Sequence, residues 1–247
     1  MIQGVADVRE AYRDDAVAAE YVKERFREPL GALLHSRQAG VLRSVIGRIR
    51  PQQVLEIAPG PARLTVDVAP LLAAPPVLLD ASSQMLAQAK RRLDAIHCPA
   101  TLMQGDAFDL PFPAMFDMVY TFRLIRHFAD ADRRRLYRQI ARVLKPGGTL
   151  VFDAVNEIVS RPLRERSTEN EHQHYDALLT ADGVRRELED EGFEVQQLAG
   201  VQHRYPLLWQ TQILVAPRSR LLARAAMEVI DRLGGEPLEW VVTCRRK

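Results

Sequence analysis

The chain has 247 residues, which fits one large domain or a domain with a cap. Its 47% hydrophobic and 27% charged content excludes a disordered chain, a collagen-like repeat and a coiled coil. Thirty-four basic and 32 acidic residues leave a net charge of +2, too balanced to hold nucleic acid through a global basic field.

Two distant cysteines, Cys98 and Cys244, form no C-x-x-C pair, so neither a disulfide scaffold nor a cysteine-built zinc site is expected, and a reducing cytoplasm fits. The first 15 residues carry acids and no apolar signal core, and the apolar run around Val68 to Leu79 is broken by Pro70, Pro75 and Pro76. Neither export nor a membrane span is expected.

From Asp7 to about Arg50 the apolar spacing predicts helix with a break at Pro29. Short apolar runs then alternate with helical patterns: Val54–Ala58, Val77–Asp80, Thr101–Gln104 and Phe116–Tyr120 read as strands, separated by helices near Ala62–Leu72, Ser83–Leu93 and Asp132–Leu144. This alternation predicts right-handed crossovers and a parallel sheet covered on both faces. Lys145-Pro146-Gly147-Gly148 stops the preceding helix, and Thr149–Ala154 reads as a fifth strand. A polar stretch, Arg161–His174, reads as a mobile loop, followed by a helix near Ala181–Glu191 and a strand opening at Phe193. A second insertion runs from Arg204 to Pro237, where Ser219 caps a helix with Leu222, Ala225, Ala226, Val229, Ile230 and Leu233 on one face. Leu238–Cys244 is the last strand. One domain is predicted: residues 1–50 a helical cap, 51–154 the alternating strand–helix core, and 155–247 the rest of the sheet with its two insertions.

The turn Glu56-Ile57-Ala58-Pro59-Gly60-Pro61-Ala62-Arg63 falls where an open parallel sheet binds ligands, at the carboxyl ends of its strands. A dinucleotide pyrophosphate needs several glycines for close backbone approach; this turn has one, and Glu56 would repel phosphate. A cationic sulfonium cofactor without phosphate, such as S-adenosylmethionine, is compatible with that carboxylate. Asp80 ends the second strand 20 residues after Gly60, where a carboxylate can accept from a ribose diol. Gly105-Asp106-Ala107-Phe108 ends the third and offers an acceptor, a backbone donor and an aromatic wall for adenine.

These segments together resemble the motifs of the class I S-adenosylmethionine-dependent methyltransferases. Val54 to Thr65 looks like the first motif, Leu79 to Leu86 like the ribose motif, Gly105 to Phe112 like the adenine motif, and Arg142 to Gly148 like the segment before strand five. The similarity runs over roughly Leu55 to Asp153 and is to the branch that includes quinone and other small-molecule methyltransferases. It implies a Rossmann-like α/β fold with a mostly parallel seven-stranded sheet, helices on both faces and a helical cap. It further implies in-line transfer of the methyl group to an oxygen, nitrogen or carbon of a small-molecule acceptor. Residue by residue, Glu56, Ala58 and Gly60 would line the methionine part, Asp80 the ribose, and Asp106 with Ala107 the adenine. Met85 and Phe108 would pack on the ring, and Ala81 and Phe122 complete the set. Ala58 and Ala62 stand where the family usually has glycine, and a methyl at each is expected to narrow the pocket.

His127, in the segment after the fourth strand, is the candidate general base, its ordinary pKa lying near neutrality. Arg123 and Tyr175 are candidate acceptor contacts. His172 and His174 lack a convincing third ligand, so no metal is expected. Base-amino methylation of nucleic acid would predict an acidic or Asn residue followed by Pro-Pro-aromatic after strand four, where Tyr120-Thr121-Phe122-Arg123 stands instead, and serine hydrolysis lacks its G-x-S-x-G turn. The alternative of another class is a noncatalytic cofactor-binding or interaction module, suggested by the two alanines of the turn and the amphipathic helix near Leu222–Leu233.

Overall fold

Pro29 opens the first helix of the computed structural model, which describes residues 28–166 and 176–247. Proline suits that position because its missing N–H would have no helical partner there. This helix, α1 (Pro29–Ile49), ends on Arg50 in the left-handed conformation, whose N–H donates to Ile46 O at 2.8 Å. The predicted helix before Pro29 lies outside the described residues.

The sheet follows the predicted alternation. β1 (Val54–Ile57), β2 (Val77–Asp80), β3 (Thr101–Gln104) and β4 (Phe116–Thr121) are joined by the short α2 (Thr65–Val68), α3 (Ser83–Asp94) and a 3-10 turn, Ile125–His127, after β4. The helix expected over Ala62–Leu72 is only one turn of α-helix followed by a 3-10 turn, Ala69–Leu71, because Pro70 has no N–H to continue the ladder. α4 (Asp130–Val143) leads into β5 (Leu144–Asn156). That strand is longer than the expected Thr149–Ala154: Leu144 already pairs with Phe116, the Lys145–Gly148 segment loops out, and pairing resumes at Thr149 with Met118.

The chain continues through α5 (Glu157–Arg166), β6 (Leu178–Leu179), α6 (Ala181–Asp190), β7 (Phe193–His203), α7 (Tyr205–Leu214), α8 (Arg220–Arg232) and β8 (Pro237–Arg246). The stretch from Arg161, expected as a loop, is helical as far as Arg166; Tyr175, His172 and His174 lie outside the described residues. The main path of the sheet has seven strands in the order β3-β2-β1-β4-β5-β8-β7, antiparallel only at β8. The two-residue β6 adds an eighth, pairing with Val155 and Asn156 of β5.

Alternation along the strands feeds two cores. Leu55, Ile57, Phe152 and Val242 face Leu136, Tyr137 and Ile140 of α4 and Val184 and Leu188 of α6. On the other face Val54, Tyr120, Val151 and Val241 meet Leu42, Val45 and Ile46 of α1, and Leu78 meets Ala89 and Leu93 of α3. α7 and α8 sit outside α1, joined to it through Leu30, Leu33, Leu208 and Met227. Ser219 caps α8 as expected, its Oγ accepting from Leu222 N–H at 3.3 Å. The predicted apolar stripe of that helix is mostly not its packed face: Ala223, Met227 and Asp231 turn inward, whereas Leu222, Val229 and Leu233 are exposed.

Candidate functional site

Strand order reverses between β1 and β4, the place where an open α/β sheet leaves a crevice at its strand ends. The turn after β1 occupies that crevice in an unusual backbone conformation: Ala58, Gly60 and Ala62 have φ of 51°, 54° and 56°. For each alanine the left-handed region costs roughly 1–2 kcal/mol, a strain that persists only if neighbours over-determine it. They do so here. Ala58 N–H donates to Leu79 O at 2.8 Å, Gly60 N–H to Asp80 Oδ2 at 3.0 Å, and Ala62 N–H to Pro59 O at 3.0 Å.

The two alanine methyls have different fates. Ala62 is fully buried against Leu78, Ala89 and Leu93, so its methyl fills the core under α3 and does not narrow a pocket, contrary to expectation. Ala58 is half-buried at the strand end. Gly60 lies beside Met85: a Cβ there would stand 3.9 Å from Met85 Sδ, an ordinary contact, so its left-handed φ is what favours glycine.

Asp80 is the hinge of the site. Its Oδ2 accepts from Gly60 and its Oδ1 from Ser82 N–H at 2.9 Å, so one buried carboxylate ties the β1 turn to the start of α3. Helix capping is left to Ser82, whose Oγ accepts from Met85 N–H at 3.2 Å. Burial raises the Asp80 pKa against the pull of the Ser82, Gly60 and Ala81 amides. A carboxylate has about four acceptor positions, so these backbone bonds leave capacity for a further donor. Next along the strand ends, Gly105 N–H donates to Asp80 O at 3.0 Å and Gln104 Nε2 to Ala81 O at 3.0 Å. Asp106 is exposed, with Oδ1 accepting from Phe108 N–H at 2.9 Å, and Ala107 is half-buried between them. Gly60, Asp80, Ala81, Met85, Asp106 and Ala107 therefore form one connected rim.

Other predicted residues stand elsewhere. Glu56 lies behind the turn, where its Oε2 accepts from Thr65 Oγ1 and from the Tyr120 hydroxyl at 3.0 Å, all three side chains being buried. Burial pushes the Glu56 pKa up to about 7 although Thr65, Tyr120 and Arg63 oppose the shift. Phe108 is a core residue, edge-on to Phe128 at 5.0 Å with the Arg135 guanidinium 5.1 Å from its ring centre, and Phe122 is buried in the α1-side core.

His127 is buried as well, its Nδ1 3.2 Å from Asp176 Oδ1. It joins an ion cluster that no local motif announces. Arg126 donates to Asp176 at 2.8 and 3.2 Å, to Asp153 at 3.2 Å and to Glu239 at 2.6 Å, and Arg164 reaches Asp176 at 2.6 Å. Although burial opposes it, the His127 bond and the Arg126 charge hold Asp176 well below the usual carboxylate range. Buried and paired with Asp176 in this way, His127 braces the loop. Arg123, half-buried with φ 62°, is fixed through its backbone N–H, which donates to Asp153 Oδ1 at 2.6 Å.

A third cluster ties the turn to α1: Arg63 donates to His35 Nδ1 at 2.9 Å and to Gln38 Oε1 at 2.6 Å, and His35 Nε2 lies 2.6 Å from Asp67. The signal for these clusters was present as isolated charges inside apolar strands, Glu56 in β1, Asp153 in β5 and Glu239 in β8, each of which demands a buried partner. Among the described residues no group of three or more His, Cys, Asp or Glu side chains is arranged to hold a metal ion.

The rim suits an adenosyl cofactor without phosphate: it offers carboxylates, a backbone amide and a thioether, and its turn has no run of glycines for a pyrophosphate. Comparison with known proteins agrees. Residues 54–148 match the family described as methyltransferase domain. The chain is 40% identical over 114 residues to demethylmenaquinone methyltransferase of Thermotoga maritima, covering 44% of this chain and 45% of that protein. The corresponding Thermus thermophilus protein is 36% identical over 107 residues, covering 41% and 46%. The matched part thus spans a little under half the length of these relatives. In fold, magnesium protoporphyrin IX methyltransferase from Synechocystis, solved with bound SAH, superposes with a TM-score of 0.70 at 11% identity over 98% of this chain and 99% of that one. Ordered motifs, a matching domain and a shared architecture converge: residues 54–148 carry the methyltransferase domain, related in sequence to S-adenosylmethionine-dependent methyltransferases, and the chain has the class I methyltransferase fold.

Proposed function

We propose that the protein transfers the methyl group of S-adenosylmethionine to a small organic acceptor, releasing S-adenosylhomocysteine. The observation that carries this reading is Asp80, a buried carboxylate that organises the β1 turn through one oxygen and the α3 start through the other while keeping acceptor capacity for a diol. In this reading Asp80 holds the ribose, Asp106 and the Ala107 amide the adenine, and Ala58 and Gly60 the methionine part. Met85 packs over the turn, and Glu56 supports it from behind through Thr65 and Tyr120. When bound, the cofactor supplies an activated methyl on a sulfonium.

The chain's own contribution is positioning. In this reading the loop after β4 faces the acceptor, and Asp153, which accepts from the Arg123 backbone and from the Arg126 guanidinium, pre-organises it. Two relatives act, by their names, on demethylmenaquinone, and the structural neighbour on a magnesium porphyrin; both acceptors are small organic molecules and support that class here. The test is turnover of labelled cofactor against a panel of such acceptors, run beside thermal shift with S-adenosylhomocysteine. Acceptor-dependent product and a raised melting temperature are expected, since a ligand bound only by the native state stabilises it. No thermal shift at millimolar ligand overturns the cofactor reading; a shift without product from any acceptor returns the chain to a binding module.

A further inference from the structure

Eleven large apolar side chains are exposed among the described residues, and eight of them fall within the α7–α8 region. Leu207, Trp209, Ile213 and Leu214 lie on α7; Leu221, Leu222 and Val229 lie on α8, with Leu233 at its end. Their exposures run from 44% to 77%, and none belongs to the contacts that seat these helices on α1, which are made by Leu208 and Met227. Two adjacent helices therefore turn a second apolar face outward, a surface that isolated exposed leucines do not explain.

Charge says what this face suits. Residues 204–233 hold five arginines against two acids, a net +3 in a chain whose total is only +2. Both acids are engaged by one residue of α1: Arg37 Nη2 donates to Glu228 at 2.8 Å and Arg37 Nε to Asp231 at 2.6 Å. Arg218, Arg220, Arg224 and Arg232 are exposed beside the leucines. Arginines beside an apolar face that also carries a half-exposed Trp209 make the chemistry of an amphipathic surface that lies in a lipid interface, where tryptophan sits at headgroup depth and arginine meets lipid phosphate. A second copy is the weaker occupant, because a twofold contact would set two such +3 surfaces against each other.

We propose that the outer faces of α7 and α8 dock the protein on anionic phospholipid bilayers. No described helix is long and apolar enough to cross a membrane, so the contact is peripheral. The inference is independent of methyl transfer, since none of these residues belongs to the cofactor rim.

The experiment is co-flotation of the full chain with vesicles of phosphatidylcholine alone or with about 30% phosphatidylglycerol, at low and at about 0.5 M salt. Binding at least about tenfold stronger to the anionic vesicles is expected, weakened by salt. Leu222→Ser with Val229→Ser, and separately Arg224→Glu with Arg232→Glu, should each lower partitioning about tenfold or more while leaving S-adenosylhomocysteine thermal shift unchanged, which also shows that the variants fold. Trp209 emission should move to the blue on vesicles, a change lost in Trp209→Phe although Trp240 remains. Absence of vesicle binding overturns the proposal, as does binding that all four substitutions leave intact. If sedimentation instead shows a concentration-dependent dimer abolished by the leucine and valine substitutions, with no vesicle binding, the face is a contact between copies.

Discussion

Replacing Glu56 with glutamine should stabilise the protein at pH 8 and have little effect near pH 5. Glu56 is fully enclosed, and burial moves its carboxyl from 4.5 to about 7. The sign follows from linkage: between those values the folded state holds a proton that the unfolded chain has released, so stability falls as pH rises through the window. At about 1.4 kcal/mol for each pH unit, ionising Glu56 in place costs the fold about 3 kcal/mol by pH 8. Glutamine keeps an oxygen to accept from Thr65 and the Tyr120 hydroxyl, and it carries no charge to bury. Urea unfolding of both proteins at several pH values from 5 to 8 isolates the effect, because titrations shared by the two cancel in their difference. That difference should grow with pH by about 2–3 kcal/mol and level off above 7. A pH-independent difference, or a variant less stable than the parent at pH 8, would refute the account of Glu56 as a carboxyl whose burial outweighs its partners.

The two left-handed alanines should respond oppositely to glycine. Ala58→Gly relieves a strained φ at a half-buried position and should stabilise by about 1 kcal/mol, whereas Ala62→Gly also deletes a methyl packed under α3 and should show no net gain, both read by thermal unfolding with two-state fitting. Asp80→Ala should weaken S-adenosylhomocysteine binding by about 1.5–3 kcal/mol in calorimetry on folded protein; unchanged affinity would leave Asp80 a purely structural brace. Arg126→Leu should destabilise by about 3 kcal/mol or more, since it strands Asp153, Asp176 and Glu239 without their shared cation. A loss under 1 kcal/mol in urea unfolding would mean that the cluster is not held as described.

Much of the fold was legible because its signals are local. Four apolar runs separated by helical spacing placed β1 to β4, and Lys145-Pro146-Gly147-Gly148 ended the helix near Leu144, one residue from the observed end of α4 at Val143. The rim residues were legible for the same reason: Gly60, Asp80 and Asp106 sit at strand ends, and the ordering of strands brings strand ends together whatever the rest of the chain does. Errors arose where tertiary context decides. The α8 stripe looked like a packing face because spacing reports amphipathicity without saying which side is covered, and only the position of α1 shows that Met227 faces inward. Ala62 looked like a pocket residue because the motif is read along the chain, yet a left-handed φ at that position turns its methyl into the core.

The cluster around the loop after β4 was illegible for a deeper reason. Arg126 binds carboxylates 27, 50 and 113 residues away, on β5, on the segment before β6 and on β8. No window of sequence contains that cluster: Asp153 and Glu239 stand out as charges inside apolar strands, but nothing local says which cation meets them. Its location nevertheless follows from register: Asp153 and Glu239 stand on neighbouring antiparallel strands, where Val155 pairs with Glu239, and they point to the same face of the sheet as Val151 and Val241. Two buried carboxylates on one face need a cation, and the loop leaving β4 is the nearest segment that can deliver one. Arg126 answers that need, and in doing so it draws its neighbour His127 into the interior beside Asp176. The histidine that local sequence offers as a base is thereby committed to the same cluster that fixes the loop.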